Sequence, residues 1–77
     1  MIEVKLPELG EGIEKAVVSS WYVKAGELVN KEDDVVEMVT DKASFNVYAP
    51  ASGRIREIFY TEGQEARIGA VLATITE

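Results

Sequence analysis

Residues 18–38 and 55–75 carry the same hydrophobic pattern. Gly26 matches Gly63, an offset of 37 positions (63 − 26). At that offset Val18 meets Ile55, Trp21 meets Ile58, Tyr22 meets Phe59, Val35 meets Leu72 and Met38 meets Ile75. A unit this short cannot bury its own apolar face, so two of them must pack on one another. The apolar runs are short, and no segment sustains a helical period. The expected fold is all-β. It is a flattened β-barrel or sandwich of two four-stranded antiparallel sheets with quasi-twofold symmetry, cored by their facing residues.

Taken in order, Ile2, Val4 and Leu6 alternate with Glu3 and Lys5 as a half-buried strand, which Pro7 ends. Glu8 to Glu14 contains Gly10 and Gly12 and reads as a loop. Lys15 to Val23 reads as a strand, with a bend at Ser19-Ser20 and Trp21 in or beside the core. Lys24 to Glu27 is a turn in which Gly26 is free to take positive φ. Leu28-Val29 is a short apolar step, and Asn30 to Asp34 a solvated connection. Glu32, Asp33 and Asp34 lack the spacing of a calcium loop. Further on, Ala49 to Gly53 reads as a small-residue turn, and Ile55, Ile58 and Phe59 as a strand. Tyr60 to Glu65 is a polar turn around Gly63, and Ile68 to Ile75 closes the chain. Gly26, Gly53 and Gly63 are expected as turn glycines, and Tyr22, Tyr48 and Tyr60 as half-buried strand residues.

Between the halves lies Glu37 to Pro50, EMVTDKASFNVYAP. Val35 to Thr40 is mostly apolar and β-branched; Ala43, Phe45 and Val47 alternate with Ser44, Asn46 and Tyr48. Thr40-Asp41-Lys42-Ala43 reads as a tight turn, because Asp hydrogen-bonds nearby backbone. The result is a hairpin with one lysine, Lys42, at its tip. Lys5, Lys15, Lys24 and Lys31 have no comparable place. Position 79 would match Lys42 in the second half (42 + 37), beyond the last residue, so the termini are expected opposite the lysine. An amine held clear of the body is a suitable point for covalent attachment.

Composition removes other chemistries. Residues 1–77 are expected to form one small domain, burying about 60% of its unfolded surface. There is no cysteine for a disulfide or thiolate metal site, and no histidine. Ser19, Ser20, Ser44 and Ser52 therefore have no His with which to build a triad. A net charge of −6 disfavours nucleic acid and anionic membranes and suits a basic protein partner. No apolar run approaches the ~20 residues of a membrane span. A soluble, intracellular and monomeric domain is expected.

Three stretches resemble the lipoyl domains of the acyltransferase components of 2-oxo acid dehydrogenase complexes. Thr40-Asp41-Lys42-Ala43 resembles their lipoylation motif. Val4-Lys5-Leu6-Pro7-Glu8-Leu9-Gly10-Glu11-Gly12 is similar to their opening, and Ala49-Pro50-Ala51-Ser52-Gly53-Arg54-Ile55 to the stretch after the lysine strand. The resemblance covers nearly all 77 residues. It implies that Lys42 is amide-linked to lipoic acid by a lipoate ligase or lipoyl transferase. It further implies a swinging arm that serves a thiamine-dependent 2-oxo acid decarboxylase, an acyltransferase core and dihydrolipoamide dehydrogenase. By the same resemblance Thr40, Asp41 and Ala43 shape the turn and its recognition, while Glu8, Leu9 and Glu11 help the decarboxylase select the domain. The domain itself is not an enzyme on this reading; its parent chain is an acyltransferase. No Pro/Ala-rich linker is present, which suggests a domain trimmed from that parent, and the opening Met1-Ile2-Glu3 suggests a position at its amino-terminal end. The location implied is the cytoplasm of a bacterium or the mitochondrial matrix of a eukaryote. Val39 departs from the acidic residue that many lipoyl domains carry before the motif, which bears on partner choice.

Two rivals differ in chemistry. Biotinyl carrier domains share the implied fold but flank their lysine with methionines; here the flanks are Asp41 and Ala43. A cofactor-free β-sandwich interaction module would keep Lys42 as a free amine. A glycine-cleavage carrier fits the opening stretch poorly.

Overall fold

The period-two alternation is realised as eight strands and no helix in a computed structural model describing residues 1–77. They are β1 (Ile2–Lys5), β2 (Lys15–Trp21), β3 (Leu28–Val29), β4 (Asp34–Val39), β5 (Ser44–Tyr48), β6 (Gly53–Ile58), β7 (Glu65–Arg67) and β8 (Val71–Thr76). One sheet has the order β1-β8-β6-β3 and the other β5-β4-β2-β7. Every pairing is antiparallel. Exchanging β1–β4 for β5–β8 turns one order into the other, which is the expected quasi-twofold. Each sheet therefore takes two strands from each half, and neither half can complete a sheet alone.

The symmetry extends to single hydrogen bonds. The Gly26 amide donates to the Ile55 carbonyl at 2.7 Å, and the Gly63 amide to the Val18 carbonyl at 2.8 Å. Tyr22 N donates to Val35 O and Phe59 N to Leu72 O, both at 2.9 Å. Both halves also break register at a matched place, between Val18 and Ser20 in β2 and between Ile55 and Glu57 in β6. The bend expected at Ser19-Ser20 is thus a bulge in the β2–β4 ladder, which re-aims the strand.

Matched positions of the repeat occupy matched depths. Val18 with Ile55, Val35 with Leu72 and Met38 with Ile75 are all buried in one core. Trp21 and Ile58 pack partly buried against it, and the Trp21 indole N–H donates to the Tyr60 carbonyl at 2.8 Å. Tyr22 and Phe59 stand 48% and 49% exposed just past their strands. Tyr22 is therefore not the half-buried strand residue expected, and neither is Tyr48, which lies on the solvent side of β5 at 59% exposure.

Other differences have local causes. The final stretch Ile68 to Ile75 opens with a turn at Gly69, φ 90°, before β8, and a further short strand, β7, precedes it. Gly53 begins β6 opposite Val29 and is not a turn residue with special φ. Its lack of a side chain is a matter of space: a Cβ would stand 2.5 Å from the Thr76 carbonyl oxygen and 2.6 Å from Ile75 Cγ2.

The twofold also exposes one strained residue. Gly69 in the second half is matched by Glu32 in the first (69 − 37), and Glu32 has φ 75°, the one non-glycine with positive φ. Both turns make the same closing bond, Glu32 N to Ala49 O at 2.7 Å and Gly69 N to Leu6 O at 2.8 Å. The left-handed conformation costs an ordinary L-residue about 1–2 kcal/mol, partly offset by glycine's greater unfolded-state entropy. Glu32→Gly is expected to raise urea-unfolding stability by about 0.5–1 kcal/mol, and Gly69→Ala to lower it by about 1 kcal/mol. Destabilisation by Glu32→Gly would show that the turn carries no strain.

Candidate functional site

β4 and β5 stay in register to their last pair, Val39 opposite Ser44, so the ladder leads directly into the turn bearing Lys42. The Thr40 amide donates to the Ala43 carbonyl at 2.8 Å and closes a loop whose tip is Asp41-Lys42. The Thr40 hydroxyl completes it. It accepts the amides of Ala43 at 3.1 Å and Lys42 at 3.2 Å, and donates to the Ala43 carbonyl at 3.1 Å. One side chain thus satisfies two loop amides that would otherwise depend on water.

This corrects one expectation. Asp41 was expected to hold the turn through its own carboxylate. It is instead exposed, and its side chain makes no hydrogen bond. The amides needing an acceptor lie within reach of residue 40, and Thr40 is half-buried against the ladder while Asp41 is at the tip. Ala43 is exposed where the chain enters β5.

The Lys42 side chain is exposed and takes part in no ion pair; the two bridges of the domain join Lys5 to Glu3 and Lys15 to Glu65. Its twofold counterpart is the open end of the other sheet, where Ile2 at the start of β1 pairs with Ile75 near the end of β8. The termini therefore lie at the pole opposite the lysine.

The two halves differ most at the lysine end. Residues 6–14 connect β1 to β2, whereas residues 49–52 suffice between β5 and β6. The end of the longer loop reaches the lysine turn. Gly12, Ile13 and Glu14 on one side and Thr40, Asp41 and Lys42 on the other bound an open depression of about 730 Å³. Val17 and Val39, cross-strand partners, also line it. Of the loop residues expected to matter, Leu9 packs partly buried against the core, and Glu8 and Glu11 are exposed. None of the three lines the depression with Lys42. Ile13 and Val17 were not singled out from sequence. A signal existed for Val17: in Ala16-Val17-Val18 three apolar residues run together, and a regularly pleated strand with one face to solvent buries only alternate ones.

An exposed amine at a hairpin tip, beside an open depression, is accessible to covalent attachment. Residues 2–75 match the family model described as "Biotin-requiring enzyme". A dihydrolipoyllysine-residue succinyltransferase component of the 2-oxoglutarate dehydrogenase complex, from Buchnera aphidicola subsp. Schizaphis graminum, is 38% identical over 76 residues, or 99% of this chain and 19% of that protein. A dihydrolipoyllysine-residue acetyltransferase component of the pyruvate dehydrogenase complex, from Staphylococcus aureus, is 36% identical over 73 residues, or 95% of this chain and 17% of that protein. The chain thus spans under one fifth of the length of these relatives. The solution structure of the lipoyl domain of the 2-oxoglutarate dehydrogenase complex from Azotobacter vinelandii superposes with a TM-score of 0.79 at 36% identity. It covers 100% of this chain and 98% of that one. The chain belongs to the biotin and lipoyl attachment family and has the fold of a lipoyl domain, a carrier domain.

Thr40→Val keeps the side chain's shape and removes its hydroxyl. It is expected to cost about 1 kcal/mol. Amide hydrogen exchange at Lys42 and Ala43 should quicken while the core amides keep their protection. Unchanged exchange in Thr40→Val, with faster exchange in Asp41→Ala, would return the turn to Asp41.

Proposed function

We propose that Lys42 is amide-linked to lipoic acid, and that residues 1–77 act as a swinging-arm carrier within the acyltransferase component of a 2-oxo acid dehydrogenase complex. The observation that carries this reading is the isolation of Lys42. It is the one lysine at a hairpin tip, unpaired, exposed, and on a turn fixed by Thr40. The names of the relatives support the type of complex.

The residues present fit the group. An exposed amine can be reached by a lipoate ligase or lipoyl transferase, with Asp41 and Ala43 as its immediate flanks. Amide formation removes the lysine charge and extends the side chain. When attached, the dithiolane ring supplies the redox and thioester chemistry. The protein's part is placement. The β4–β5 ladder keeps the attachment point rigid, and the tether keeps the arm at roughly millimolar effective concentration for the sites it serves. Those sites belong to a thiamine-dependent 2-oxo acid decarboxylase, the acyltransferase core and dihydrolipoamide dehydrogenase. Glu8, Leu9 and Glu11, on the loop that leads to the lysine, are assigned to selection by the decarboxylase. The working compartment is the cytoplasm of a bacterium or the mitochondrial matrix of a eukaryote.

A biotinyl carrier is the second reading, since the matching family model spans both attachments. Intact mass separates them. Wild type and Lys42→Arg are expressed with a lipoate ligase and lipoic acid, and in parallel with a biotin ligase and biotin. A lipoyl-sized gain in wild type, absent from Lys42→Arg, is expected. A biotin-sized gain would move the domain to the carboxylases. No gain in either culture, with the fold intact, would leave a cofactor-free interaction module.

A further inference from the structure

The solvent side of the β5-β4-β2-β7 sheet is polar along most of its length, with Lys15 and Ser19 on β2 and Glu37 on β4. Apart from Tyr48 at the end of β5 away from the lysine, two residues break the pattern. Val17 and Val39 are directly opposed across the β2–β4 ladder, each 37% exposed. Side chains so opposed have Cβ atoms about 5 Å apart and form one continuous apolar surface. Ile13, half-buried at the end of the β1–β2 loop, lines the same depression.

Singly exposed valines need no explanation. These are distinguished by what shares their depression, which is Lys42 itself. Val39 is three residues before Lys42, and Val17 lies one strand further, about 4.8 Å away. An arm attached at Lys42 starts at the edge of this surface and is long enough to lie on it. Glu14, Asp41 and Glu65 face the depression against Lys15, which is already bridged to Glu65 at 3.4 Å. Amide formation removes the positive charge of Lys42. The modified arm is then uncharged and apolar along its chain, which suits the valine surface.

We propose that this depression is a resting seat for the arm of Lys42, in which the acyl chain of the lipoyl group lies on Val17, Val39 and Ile13. The inference rests on the lipoyl-lysine reading above. Tethering makes the seat physically reasonable. At roughly millimolar effective concentration, contacts too weak to hold a free ligand are occupied. The seat keeps the chain out of water until a partner site competes for it.

The test uses methyl-labelled domain in three forms: unmodified, lipoylated, and octanoylated as a redox-inert chain of the same kind. Intact mass confirms attachment before spectra are recorded. Nuclear Overhauser contacts are expected between the arm methylenes and the methyl groups of Val17, Val39 and Ile13. Shift changes should concentrate at those methyls. The double variant Val17→Ser/Val39→Ser should lose the contacts while keeping the amide spectrum of the fold. Its dithiolane should be reduced faster by a small soluble reductant. Attachment proven by mass, with no arm contact to these methyls, would overturn the seat and leave the carrier reading standing. Absence of any attachment at Lys42 would overturn both.

Discussion

The interior strands β4 and β8 supply Val35, Val36, Met38, Leu72 and Ile75, five of the largest fully buried side chains, to a single core. Every other element depends on that shared burial. β4 and β8 come from different halves, and each is flanked in its sheet by one strand from either half. Fully burying one such side chain stabilises by about 1.5–3 kcal/mol, and truncating it costs about 2–5 kcal/mol. Against the total of about 5–15 kcal/mol usual for a domain, these few residues decide whether the fold exists. The cross-over of strands makes the two repeats mutually obligatory. Folding is then all or none, and the lysine turn inherits the rigidity of the whole.

A carrier needs that rigidity in one place and freedom in the next. β4 delivers the chain to Thr40 in strict register, and the Thr40 hydroxyl fixes the loop amides. Beyond that point the Lys42 side chain is unpaired. Order therefore ends within one residue of where mobility begins. The quasi-twofold sets the lysine turn apart within residues 1–77. Its symmetry mate is the open end where β1 starts and β8 stops, so one pole carries the lysine and the other the termini. The longer β1–β2 loop and the Val17–Val39 pair lie at the lysine pole, where the halves are least alike.

Much of this was legible in the repeat. Each apolar pair matched at an offset of 37 occupies the same depth in the structure, whether buried, half-buried or exposed. The hairpin and its lysine followed from alternation on either side of a turn motif. What was missed followed from reading runs singly. β7 is Glu-Ala-Arg and looks like turn, but its twofold mate is Leu28–Val29, and the offset alone would have located it. Tyr22 reads as apolar, yet like Phe59 it follows the last strand residue and faces water. The role of Thr40 was hidden because Asp is the commoner turn former; which of two neighbouring polar side chains reaches the amides is decided in three dimensions. Gly53 looked like a turn glycine because small residues precede it. Its actual constraint is the backbone of Thr76, distant in sequence.

The central claim is that position in the fold, more than the identity of the lysine, makes Lys42 the site of attachment. Moving the lysine by one residue tests this most directly. Asp41→Lys/Lys42→Ala and Lys42→Ala/Ala43→Lys each keep one amine on the same turn. Modification by lipoate ligase is read by intact mass and peptide mapping beside wild type, with the amide spectrum as the check on folding. Folded variants that remain largely unmodified while wild type is fully lipoylated are the predicted result. Shifted lysines modified as completely as Lys42 would contradict it.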